Sequence, residues 1–116
     1  MCSSDLDLIP YAALLAADVR VAPSSDAPYG SPDPWMAMAA ARDRLSRSGV
    51  RVGTDAGLDP RRILDGYLSA SHDPGGRARK VLVGAPADVC LLHVGLEQAL
   101  AECSVANVRA TYVDGQ

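Results

Sequence analysis

Apolar residues follow two rhythms along this chain, and the rhythm changes near Val81. Before that point they recur at helical spacing. Leu8, Tyr11, Leu14 and Leu15 predict a short helix over residues 8–17, with Asp7 as its cap. A brief apolar run over residues 19–22 then predicts a strand, so that helix and strand read as the αβ half of a βαβ unit.

The run stops at Ser24-Ser25-Asp26, and a turn-forming loop with Pro28, Gly30 and Pro32 follows. Asp33 then caps a helix with Pro34 in its first position. That helix is expected to run to about Leu45. Arg42, Arg44 and Arg47 complement its dipole, and Ser48-Gly49 ends it. Asp59-Pro60 repeats the signal for a helix reaching about Ala70, with Ile63, Leu64, Tyr67 and Leu68 as its apolar face. From Val81 on, residues 81–83, 89–92 and 108–113 predict short strands and residues 96–102 a helix.

Composition narrows the partners. The chain has 116 residues, 48% hydrophobic and 22% charged, with net charge −3, which points away from nucleic acid and anionic membranes. Aromatic content is only 4% and Phe is absent, so a core of small side chains buries little area per residue and stability is expected to be slight. Three cysteines without a CxxC pair read as reduced thiols in the cytoplasm. No apolar run approaches the roughly 20 residues of a membrane span. The first residues lack the basic-then-apolar order of a signal peptide. The closing Asp114-Gly115-Gln116 is a turn signal with no strand after it, and both ends read as cut.

Candidate chemistry centres on Asp26. A carboxylate just beyond the end of a buried strand is where α/β enzymes place reactive groups. From the residues alone, Asp26 reads more readily as an ordinary turn or cap Asp than as a reactive group. Ser24 and Ser25 have no motif-placed His and no G-x-S-x-G context, so a serine nucleophile is set aside. Gly75-Gly76-Arg77 lacks a phosphate-loop motif and reads as a solvated turn. His72 and His93 read as surface or loop residues.

Three segments carry a family resemblance. Ser24-Ser25-Asp26-Ala27-Pro28-Tyr29-Gly30-Ser31-Pro32-Asp33-Pro34-Trp35 resembles the strand-eight segment of the amidohydrolase superfamily, in its family 3 branch. The stretch from Gly84 to Leu92 is similar to that family's late G-x-x-A-D strand entry, and Val108 to Gly115 to its closing V-x-x-T-x-V-x-G strand. They stand in the family's order and together cover most of the chain. The chain departs from many relatives at Ala56, where they carry an acidic residue.

The resemblance implies an α/β fold: the C-terminal fragment of a (β/α)8 barrel over residues 1–80, and a share of a small composite β-sandwich over residues 81–116. It implies metal-dependent hydrolysis of carbon–nitrogen, non-peptide bonds in a small amide-like substrate. Asp26 would contact a divalent metal, zinc foremost, and would carry a proton from bound water to the leaving nitrogen. Tyr29 and Trp35, flanking the loop, are expected either to line a substrate mouth or simply to pack it.

The family's site also needs a His-x-His pair and further histidines, and the two histidines here form no such pair. The isolated chain is therefore expected to bind no catalytic metal and to be inactive. The competing reading is a noncatalytic protein that joins another chain, or itself, through unpaired strand edges.

Overall fold

Two Asp-Pro pairs start the helices around which the core forms. The computed structural model describes residues 10–46, 48–53 and 57–116. The expectations resting on Cys2, Asp7, Leu8, Arg47 and Ala56 lie outside these residues. Helix α1 spans Tyr11–Ala16, α2 Pro34–Asp43, α3 Pro60–Tyr67 and α4 Leu96–Glu102. Strands β1 (Val89–Leu92) and β2 (Val108–Tyr112) flank α4, and a 3-10 turn over Val105–Asn107 leads into β2.

At α2, Asp33 Oδ1 accepts the Trp35 N–H at 2.9 Å, and at α3, Asp59 Oδ1 accepts the Arg61 N–H at 2.9 Å. Each satisfies one of the orphan donors of a first turn, with proline at the position that has no N–H to offer. Both helices end earlier than the sequence suggests. Arg44 turns left-handed at φ 52°, and Leu45 then forms an isolated bridge with Arg51 across the turn at Gly49. After α3, Ser69 bridges Ala78. In both places a short backbone pairing competes with another helical turn and wins.

The core is small. Trp35 and Met38 from α2, Ile63 from α3, Ala99 and Leu100 from α4, and Cys103 just after it form the buried cluster, drawing on both sides of Val81. The Arg42 guanidinium ties α2 to α4 by donating to the Ala101 carbonyl at 2.5 Å. Behind the helices, β1 and β2 pair antiparallel, with Val89 opposite Tyr112, Leu91 opposite Ala110, and a bulge before Leu92 meets Val108.

This arrangement corrects the barrel expectation. Among the described residues the only sheet is the β1–β2 pair, and it is antiparallel, whereas barrel strands are parallel. Residues 19–22 form no strand: the Val19 N–H donates back to the Leu14 carbonyl of α1 at 2.9 Å. Residues 81–83 form none either. A strand needs a neighbour for its backbone groups, and among the described residues neither run is paired as a strand. The described residues instead form a small α/β domain of four helices and a two-stranded antiparallel sheet, not a barrel fragment with sandwich strands.

Much of that domain faces solvent. Its accessible surface is 8297 Å², against about 6,000 Å² expected for a folded monomer of this size. Among the described residues no helix is long and apolar enough to cross a membrane.

Candidate functional site

Asp26 stands at the turn of a loop braced on both sides. Its φ is 50°, a left-handed conformation that Asp tolerates better than most residues. The Asp26 N–H donates to Ser24 Oγ at 3.4 Å, and the Ala27 N–H donates to Ser25 Oγ at 3.3 Å. The Asp26 carbonyl accepts from the N–H groups of Tyr29 at 3.0 Å and Gly30 at 3.2 Å. Gly30 is needed here, because a Cβ on it would overlap the Ser25 carbonyl oxygen. Beyond it, Ser31 Oγ accepts the Asp33 N–H at 3.2 Å, and Asp33 caps α2. The loop thus closes on a helix anchored by buried Trp35, and the Asp26 side of it faces solvent.

An exposed carboxylate is acceptor-only when ionised. In this loop it can take or return a proton from a molecule docked against it, provided that molecule comes within hydrogen-bond reach. The two serine hydroxyls brace the loop by accepting the Asp26 and Ala27 N–H groups. Tyr29 is almost fully exposed and Trp35 is buried, so the flanking aromatics divide: one is available to a ligand and the other packs the helix.

Close to the start of α2 lies a small group of titratable residues. Burial, and then the Asp33 carboxylate, push the Tyr67 phenol above its ordinary range. Burial, and then Tyr67, do the same to Tyr11. Both phenols therefore stay protonated donors at neutral pH.

A metal centre finds little here. Among the described residues no three His, Cys, Asp or Glu side chains come together as a metal-holding group. His72 and His93 are both exposed, and the His93 backbone N–H is engaged with the Asn107 carbonyl at 2.8 Å. Asp26 alone does not fit the three or four protein ligands that a zinc site requires, so these residues do not by themselves hold such an ion. Gly75-Gly76 makes no phosphate cradle, since the Gly75 N–H donates to Ser69 Oγ and the Gly76 N–H to the Asp73 carbonyl.

Sequence reasoning missed Arg44. It reads only as a helix-end cation complementing the dipole, yet it is 7% exposed and lines a cavity of about 560 Å³ between α1, α2 and the segment leading to Ser24. The signal that would have found it, the early end of α2, depends on the pairing of Leu45 with Arg51 and is not written in the local pattern.

No family model, curated protein or solved structure matches the chain.

Proposed function

We propose that this chain contributes the proton-carrying carboxylate of an amidohydrolase-like hydrolase that cleaves carbon–nitrogen, non-peptide bonds in a small amide-like substrate. The observation that carries this reading is Asp26 itself, held in a left-handed turn on a braced loop with its carboxylate facing solvent. The motif likeness around Ser24–Trp35, Gly84–Leu92 and Val108–Gly115 supports it. Asp26 takes a proton and delivers it to the leaving nitrogen. The remaining metal ligands come from polypeptide outside the described residues, so the chain by itself turns nothing over. Co-expression with the polypeptide encoded immediately upstream, in zinc-supplemented medium, tests the reading. Hydrolysis of simple amides or cyclic amides is expected, and Asp26→Asn should remove it while leaving the fold intact by circular dichroism. Hydrolysis that survives Asp26→Asn would overturn it.

A second reading is favoured by a separate observation. Val81, Leu82, Val83 and Val113 are all largely exposed, and the chain carries more surface than its size predicts. On this reading the chain is a noncatalytic partner that joins another copy or another protein through these apolar residues and the free edges of β1 and β2. Size-exclusion chromatography with light scattering separates the outcomes. A monomer at every concentration, together with no partner-dependent hydrolysis, would remove both readings.

A further inference from the structure

We infer that the arm over residues 79–88 is a docking loop that seats on an anionic lipid bilayer. Nearly every residue of this arm is exposed, and Val81, Leu82 and Val83 follow one another in it largely or fully exposed. The chain turns back at Leu82–Ala85, where the Ala85 N–H donates to the Leu82 carbonyl at 3.0 Å and Gly84 takes φ 86°. The base of the arm is held. Arg79 pairs with Asp88 at 3.6 Å, and the Arg79 N–H donates to the Leu68 carbonyl at 2.9 Å. The Gly115 N–H donates to the Ala87 carbonyl at 3.1 Å. An apolar tip is therefore presented on a fixed stem.

Charge along the arm decides what covers it. Arg77, Arg79 and Lys80 lie between Asp73 and Asp88 with no acidic residue among them, although the whole chain carries net charge −3. The overall balance points away from an anionic membrane, and the local one points towards it. Asp73 and Asp88 are each taken up by an arginine, Arg20 and Arg79. Arg77 and Lys80 are exposed and enter no ion pair among the described residues. An apolar tip beside such cations supplies the two signals that attachment to a bilayer needs, apolar burial and attraction to anionic headgroups. A strand of another protein fits less well, because strand addition needs a run of free backbone N–H and C=O groups. Here the Arg79 and Ala85 amides are engaged, and Pro86 has no N–H to offer. The inference stands apart from the hydrolase reading, and it gives the arm to lipid instead of to a protein partner.

Co-flotation of the full-length chain with lipid vesicles tests the inference. Vesicles of equal parts phosphatidylcholine and phosphatidylserine should bind the chain at least about tenfold more tightly than vesicles of phosphatidylcholine alone. Added salt should weaken that binding. Arg77→Gln combined with Lys80→Gln should erase the preference for phosphatidylserine. Leu82→Ser combined with Val83→Ser should weaken binding to the mixed vesicles at least about tenfold. All four positions are exposed, so circular dichroism should show the fold kept in both variants. Should either variant lose its fold, hydrogen exchange of the unaltered chain decides: mixed vesicles should slow exchange at Val81–Val83 and leave α3 unchanged. No binding to the mixed vesicles, equal binding to the two vesicle types, or binding that survives Leu82→Ser with Val83→Ser would each overturn the inference. So would a lipid-free dimer that Val83→Ser breaks, since a second copy would then cover the arm.

Discussion

Met38 and Val83 are both apolar residues in apolar surroundings of sequence, yet Met38 is 1% exposed and Val83 is fully exposed. Met38 belongs to a helix, which satisfies its own backbone and needs only one apolar stripe to find a neighbour. Ile63 on α3 and Leu100 on α4 supply that neighbour. Val83 belongs to an arm that runs out past Arg79 and turns back at Leu82–Ala85, where the Ala85 N–H donates to the Leu82 carbonyl at 3.0 Å and Gly84 takes φ 86°. An ion pair of Arg79 with Asp88 at 3.6 Å closes the base of this arm, and no second layer covers its tip. Helices can therefore assemble a core from a short chain of small residues. β-prone runs cannot do so without a strand beside them.

The comparison can be broken most directly at the core. Met38→Ala should cost about 2–5 kcal/mol, a large part of what a domain of this size has to lose, and urea unfolding would read it. An unchanged midpoint would mean that the helical cluster is not what holds the fold.

Gly30→Ala should cost about 1–3 kcal/mol because its Cβ meets the Ser25 carbonyl. Hydrogen exchange should quicken at the Tyr29 and Gly30 amides while the α3 amides stay protected. Asp33→Ala removes the α2 cap and should cost about 1 kcal/mol, measured as a lower thermal midpoint.

A subtler effect lies in alkaline solution. Tyr67 has its pKa raised above the ordinary 10.0, so its neutral form adds stability that is present below pH 10 and is lost as pH rises through the folded value. Tyr67→Phe should flatten the fall in stability above pH 10 and leave the acid side unchanged.

Smallest of all, Val83→Ser should leave stability within about 0.5 kcal/mol. If the arm mediates association, the same change should shift the protein towards monomer in size-exclusion chromatography. A loss comparable to that of Met38→Ala would show that the arm belongs to the core after all.

Legibility followed the range of the forces involved. The helix starts were readable because Asp33-Pro34 and Asp59-Pro60 act within one turn. β1, α4 and β2 were readable because their runs lie close in sequence, so α4 and a short turn bring the strands together. The strand over residues 19–22 and the helical turns beyond Asp43 and Tyr67 were not readable. Each depended on whether a distant segment would pair with it, and the local pattern carries no term for that. Asp26 was legible as an exposed loop carboxylate. The braces from Ser24, Ser25 and Gly30 and the burial of Arg44 were not.

The sequence by itself determined where α2 and α3 begin and which of their faces are apolar; α1 starts only at Tyr11, after Pro10, later than its apolar spacing suggests. The tertiary structure alone decided that the apolar run before Asp26 forms no strand, that α2 stops at Arg44, and that residues 81–83 are left exposed. The reason is the same in each case. Helical hydrogen bonds join residues four apart, so the chain carries both partners within reach. A strand, a buried charge and an apolar tip take their final state from atoms that folding brings from elsewhere in the chain, or does not bring at all.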